Sequence, residues 1–264
     1  MSWGITYPLL TNKWTMLELN KVYCMDCLRG MKEIPDNSID LVCCDLPYGV
    51  TQNPEDKPLP LDILWGEYKR ILKDEGVIVL TSQFPFTLDL ILSNREWFRY
   101  DLIWDKKLVT GFLNANKRPL RVHEHILVFY KKCGVYNPQK TAGTKSHSKG
   151  KPKNSTNNNY GEFGFVDNRE VLGELKHPTS IISIPKPHPS VALHRTEKPV
   201  ELAEWIIKTY TNPGSVVLDN CIGCGWVAVA AKRNKRVFIG MEIRADFVEI
   251  ANNRLSQEVI SLTN

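Results

Sequence analysis

Several features are missing from this sequence, and each absence removes a class of protein. No uninterrupted apolar run approaches the roughly 20 residues of a membrane-spanning helix, and Met1 to Asn20 lacks a basic start followed by an apolar block. That predicts a cytosolic protein. The seven cysteines are an odd number scattered through apolar runs, which suits a reducing compartment better than a disulfide framework. A full Gly-x-Gly-x-x-Gly is absent, which turns the reading away from hydride-transferring dinucleotide enzymes. His123-Glu124-His125 lacks the histidine that a His-Glu-x-x-His zinc site needs, because Leu127 stands there. Two Cys-x-x-Cys pairs, Cys24/Cys27 and Cys221/Cys224, have nearly the whole chain between them, whereas a zinc ribbon separates its pairs by about 15–20 residues.

Acids are scarce over one long stretch. From Asp105 to Tyr160, twelve Lys and Arg face only Asp105 and Glu124, in a chain whose net charge is +5. Clustered cations of this kind neutralise phosphates and release counterions, so a polyanion-facing surface is expected. A solvated basic loop is the plainer alternative.

What is present is a chain of 264 residues with 42% hydrophobic content, enough for one large domain carrying an insertion. Lys21 to Asp26 reads as a short strand ending in an acid, followed by a helix from Cys27 to Glu33. Ile39-Asp-Leu-Val-Cys-Cys44 has the length and apolarity of a buried strand and ends at Asp45. A helix is predicted over Leu61 to Lys73, a strand over Val77 to Leu80, a helix over Phe86 to Phe98, and strands over Tyr100 to Trp104 and Ile126 to Tyr130. Order returns at Glu197-Lys198-Pro199, a helix entry, with the helix running from Val200 to Tyr210. Then come a strand ending at Asp219, a glycine loop to Gly225, a helix over Trp226 to Lys232, a strand over Val237 to Glu242, and a helix over Ala245 to Leu255. This alternation predicts an α/β parallel sheet. Residues 131–190 interrupt it as a basic, loop-rich insert. Thr141 to Tyr160 is too polar to fold alone and is expected to move unless a ligand orders it.

Two motifs carry chemistry. In Asp219-Asn-Cys-Ile-Gly223-Cys-Gly225, a glycine pair between strand and helix lets a ligand approach the backbone. Glu242, about twenty residues on at the next strand end, can grip ribose hydroxyls. Together they read as a nucleoside-cofactor site, with Asp219 at the amino-acid end. The second motif, Asp45-Leu46-Pro47-Tyr48, ends a buried strand. An exocyclic base amine is a poor nucleophile because its lone pair is delocalised into the ring. The Asp45 carboxylate and the Leu46 carbonyl, each accepting one N–H, would aim that lone pair at an electrophile. Pro47 stiffens the loop, and Tyr48 offers a face on which an extruded base can stack.

Taken together, these motifs resemble the beta-class DNA amino-methyltransferases of bacteria and phages, which act on adenine N6 or cytosine N4. The likeness covers most of the chain: an early Asp-Pro-Pro-Tyr, a middle recognition region, and a late Asp-x-Phe-x-Gly-x-Gly. It implies a Rossmann-like, seven-stranded S-adenosylmethionine-dependent fold, permuted so that the catalytic half precedes the cofactor half. It also implies that Asp26 binds the cofactor adenine, and that His194, Thr196 and Lys198, in a stretch similar to His-Pro-Thr-x-Lys-Pro, approach its methionine end. Trp104-Asp-Lys106 and His123-Glu124 match positions after the catalytic strand. The implied substrate is double-stranded DNA with a flipped target base, adenine being favoured by an Asp at the head of the tetrad. A homodimer and a restriction endonuclease partner are compatible with the likeness, as is the cytoplasm of a bacterium or a phage-infected host.

The chain departs from the family pattern at Leu46, where the first proline is replaced, and at Cys221, Trp226 and Arg195, which bear on cofactor affinity. An inactive, DNA-binding relative is the contrasting reading. A cytosine C5-methyltransferase is excluded because no Pro-Cys dipeptide occurs. Protein-glutamine methyltransferases place the cofactor motif first and prefer Asn at the Asp45 position.

Overall fold

The computed structural model describes residues 17–50, 56–143, 156–157, 161–162, 175–187 and 197–262. Eight strands form its main sheet: β1 (Lys21–Cys24), β2 (Ile39–Cys44), β3 (Leu72–Ser82), β4 (Phe98–Thr110), β5 (Arg121–Phe129), β6 (Ile181–Ser183), β7 (Val216–Asp219) and β8 (Val237–Glu242). Six α-helices accompany them among the described residues: α1 (Cys27–Met31), α2 (Leu61–Ile71), α3 (Phe86–Ser93), α4 (Val200–Tyr210), α5 (Trp226–Arg233) and α6 (Ala245–Leu262).

Strand order is β1-β8-β7-β2-β3-β5-β4-β6, and every neighbouring pair is parallel except those made by β5, which opposes both β3 and β4. Successive side chains of a strand point to opposite faces, so β2 sends Leu41 and Cys43 into one core and Val42 and Cys44 into the other. Helices α4, α5 and α6 cover the first face; α1, α2 and α3 cover the second. Burial on both faces explains why the central strands read as continuous apolar runs without alternation.

Local rules account for the helix that matters most to the site. Pro199 (φ −69°) precedes α4, and its ring-fixed backbone suits a helix entry. Leu202, Ala203, Ile206, Ile207 and Tyr210 then bury one stripe against the sheet.

The α/β class and the strand-ending acids are as expected, while several boundaries differ. Helix α3 stops at Ser93 because Asn94 leaves helical geometry (φ −146°, ψ 56°). Beyond the seven expected strands, β6 adds an eighth at the β4 edge, where Trp104 Nε1 donates to the Ile184 carbonyl at 2.8 Å. A three-residue strand flanked by Pro178 and Pro185 is too short to show a period. Much of the insert at 131–190 lies outside the described residues. Its start is pinned to the end of α4 by Asn137 Nδ2, which donates to the Lys208 and Thr211 carbonyls at 3.1 and 3.0 Å.

Candidate active site

Parallel strands deliver their carboxyl ends to one edge of the sheet. Here four adjacent strands, β1, β8, β7 and β2, bring Asp26, Glu242, Asp219 and Asp45 to that edge in that order. The register places Cys24 beside Glu242, Asp219 beside Gly240, and Val42 beside Leu218. With strands about 4.8 Å apart, the row spans roughly 14 Å. That is long enough for an extended nucleoside with an amino-acid arm.

At the β8–β7 end of the row, Glu242 is held by the backbone: Oε2 accepts from Gly223 N at 3.0 Å and Oε1 from Arg244 N at 2.9 Å. Each oxygen keeps a further lone pair for a hydroxyl. Gly223 (φ +50°) and Gly225 (φ +84°) both adopt left-handed backbone, which glycine enters without steric cost. A Cβ at Gly225 would lie 2.9 Å from Ala251 Cβ, so α5 and α6 pack closely there. At Gly223 a Cβ would meet nothing within 4 Å, which leaves the loop open to a ligand. Asp219 is fully buried; Oδ1 accepts from Cys221 N at 3.1 Å, and Oδ2 has no hydrogen-bond partner among the described residues. Burial, with Asp45 and Glu242 adding repulsion, pushes its carboxyl up to about 8. A buried, orphaned acceptor calls for a cation or donor from a ligand. The site therefore fits a nucleoside cofactor with an ammonium-bearing arm. Asp26 is exposed and caps α1, accepting from Arg29 N at 2.9 Å.

The Asp45 end of the row is a network of buried charge. Asp45 Oδ1 accepts hydrogen bonds from Tyr48 Oη (2.6 Å) and from Thr81 Oγ1, while Oδ2 accepts from Lys198 Nζ at 2.6 Å. Lys198 also pairs with Glu124 Oε2 at 3.1 Å, and Glu124 Oε1 pairs with Lys106 Nζ at 3.1 Å. For Glu124, burial opposes ionisation, yet Lys198 and Lys106 outweigh it and hold the carboxyl down at about 2. For Lys198, burial is likewise overcome by Asp45 and Glu124, so its ammonium is held above the ordinary lysine range. Nearby Lys186 is lowered, first by burial and then by repulsion from Lys198. Burial raises the Tyr48 phenol well above the usual range, and Asp45 and Glu124 add to this, so it remains a proton donor. One face of Tyr48 stacks on Phe86, with centroids 5.6 Å apart and planes at 28°. Lys198 Nζ lies 5.5 Å from the Tyr48 ring centre.

The Leu46 side chain is buried, and among the described residues no hydrogen bond reaches its carbonyl oxygen. Asp56 anchors the following turn by accepting from Gly49 N (2.8 Å) and Val50 N (2.9 Å).

The sequence-predicted residues thus separate into two groups along one edge, Asp26, Asp219, Gly223, Gly225 and Glu242 in the first and Asp45, Leu46, Pro47 and Tyr48 in the second. Lys198, expected beside the cofactor arm, contacts the Asp45 carboxylate itself. His194 and Thr196 lie outside the described residues. The links made by Thr81, Phe86 and Lys186 had no clear sequence signal. Lys106 had one: it stands in phase with buried Leu102 and Trp104 on β4, so a carboxylate partner was required. Cys24 is exposed and Cys27 buried, and among the described residues no group of three or more His, Cys, Asp or Glu could hold a metal ion.

Comparison with known proteins shows the family to which the chain belongs. The N6/N4 methyltransferase family model, described as a DNA methylase, matches residues 39–253. Type II methyltransferase M.BglII of Bacillus subtilis is 32% identical over 268 residues, covering 91% of this chain and 70% of the relative. In fold, the chain is similar to M1.HpyAVI solved with SAM (TM-score 0.60, 22% identity, 89% of this chain and 98% of that one). It is also similar to the PvuII DNA methyltransferase described as cytosine-N4-specific (TM-score 0.62, 17% identity, 88% and 85%). The chain belongs to the N6/N4 family of DNA methyltransferases, whose methyl donor is S-adenosylmethionine.

Proposed function

We propose that this enzyme methylates the exocyclic N6 amine of adenine at a specific site in double-stranded DNA. The observation that carries this reading is the place of Lys198 Nζ, which donates to Asp45 Oδ2 at 2.6 Å and lies 5.5 Å from the Tyr48 ring centre. A nitrogen donor beside an aromatic face is what an extruded amino base would present to the same groups. The target amine would replace Lys198 Nζ as the donor to Asp45 Oδ2, and Lys198 would retain Glu124 as its counter-charge.

S-adenosylmethionine supplies a sulfonium methyl group when bound; Asp219, the Gly223 loop and Glu242 are the residues that would hold it. Asp45 accepts one N–H of the target amine and the open Leu46 carbonyl accepts the other, which localises the nitrogen lone pair for direct attack. Asp45 is also placed to take the proton that the methylated amine sheds. Tyr48, clamped by Phe86 behind and by its hydroxyl contacts to Asp45 and Thr81, presents a fixed stacking surface. The basic insert at 131–190 would track phosphates and read the bases.

By the resemblance to the family, an Asp at the head of the tetrad, here Asp45, favours adenine over cytosine. DNA methylated by the purified protein, digested to nucleosides and identified by mass, should yield N6-methyladenine. N4-methylcytosine as the sole product would overturn the adenine assignment.

A further inference from the structure

The hairpin between β4 and β5 holds its most apolar side chains where water reaches them most. Phe112 is 76% and Leu113 83% exposed. They sit on a built turn: Gly111 (φ +85°) ends β4, Phe112–Asn114 forms one turn of 3₁₀ helix, and Lys117 N and Arg118 N donate to the Asn114 carbonyl at 2.8 and 3.0 Å. Isolated exposed apolar residues are ordinary. An adjacent pair displayed on an ordered tip marks a contact surface.

Charge identifies the occupant. Lys106, Lys107, Lys117, Arg118 and Arg121 surround the tip in sequence, and no acid occurs from Lys106 to His123. Beside the hairpin base, Gln83, Thr110, Gly111, Arg118, Pro119 and Arg121 line a cavity of about 170 Å³. Arg121 Nη1 is buried without a hydrogen-bond partner among the described residues. Both features suit phosphate oxygens and disfavour an acid-free apolar partner.

Position ties the tip to the reaction. Because β5 opposes β3, the hairpin leaves the sheet at the same edge as Asp45. Glu124, which lies 3.4 Å from Tyr48 Oη, is three residues from Arg121, about 10 Å along the strand. Lys106 Nζ reaches both Glu124 Oε1 (3.1 Å) and Thr110 Oγ1 (3.4 Å), so the hairpin base and the catalytic network share one cation.

We propose that Phe112 and Leu113 form a wedge that enters the duplex and fills the space vacated by the flipped base, while Arg118 and Arg121 hold the neighbouring phosphates. Phosphate binding alone would not call for an exposed Phe-Leu pair, whereas apolar side chains inserted between base steps hold a duplex open. The proposal rests on the DNA-methylating reading above and assigns a DNA-opening role to a segment outside the 131–190 insert. Phe112 and Leu113 are positioning residues, since they act through the DNA.

The test uses the full chain and two duplexes carrying its methylation site: one fully paired, one with an abasic position opposite the target base. Extruding a base that lacks its partner is easier, so that substrate has less need of a wedge. For Phe112→Ala/Leu113→Ala, single-turnover methylation of the paired duplex should fall roughly 30- to 100-fold and recover to within about threefold of wild type on the abasic duplex. Cofactor binding and melting temperature should stay unchanged, as both side chains are exposed. A double variant as fast as wild type on paired DNA overturns the wedge alone. So does a loss that the abasic duplex fails to restore, or a wild-type dimer that the double variant converts to monomers. A wild-type protein that methylates no DNA overturns the substrate reading, and this proposal with it.

Discussion

Glu124→Gln tests the buried charge network most directly. Its carboxylate lies 3.1 Å from both Lys106 and Lys198, and all three side chains are nearly inaccessible to water. Glutamine keeps the volume and one acceptor oxygen, so the change is electrostatic. Two ammonium groups are then left with the Asp45 carboxylate alone, and Lys186 lies close by. Removing one partner of a buried pair costs about 3–5 kcal/mol, a large part of the roughly 5–15 kcal/mol that holds a domain folded. At about 2–4 °C per kcal/mol for a chain of this size, the melting temperature should fall on the order of 10 °C. The pH dependence has a definite sign. The folded-state value near 2 lies below the ordinary 4.5, so the stabilisation is complete above 4.5 and fades as pH falls towards 2. The gap between wild type and variant should therefore be flat from about pH 7 to 5 and narrow below that. Lys106→Met added to Glu124→Gln removes one stranded ammonium and should recover part of the loss. Thermal melts monitored by calorimetry read all three proteins. A Glu124→Gln melt within about 2 °C of wild type near neutral pH would refute the reasoning.

Other outcomes follow from the two halves of the site. If the Leu46 carbonyl is the group that counts, Leu46→Pro keeps methylation activity, while Asp45→Ala loses about 100-fold or more; steady-state assays with equal protein decide between them. Asp219, with a folded value near 8, is largely protonated at neutral pH before a cationic arm arrives. Cofactor binding near pH 7 should then release up to about one proton, read by calorimetry in buffers of different ionisation heat, and Asp219→Asn should release none. In the ligand-free protein this raised value contributes stability that is present below the ordinary carboxylate range and is lost as pH rises through about 8; the Asn variant should lack that loss.

Much of the architecture was legible because it is written locally. Buried strands announce themselves as short apolar runs, and Asp45, Asp219 and Glu242 each sit at the end of one. The glycine loop before α5 carries its left-handed positions in the residue type itself, since only glycine enters that backbone freely. Short elements without a period were not legible, β6 among them.

By itself, then, the sequence determined an α/β chain with acids at strand ends, a glycine loop before α5 and an Asp-Leu-Pro-Tyr tetrad after β2, because backbone preference and burial pattern act over a few residues. Only tertiary structure decided which charges meet. Lys198 reaches Asp45 across 153 residues, and Glu124 joins them from a strand that runs the opposite way. Charge has no period in sequence. Its partners are chosen by strand order and register, and in a dry interior that choice holds the Glu124 carboxyl down and the Lys198 ammonium up.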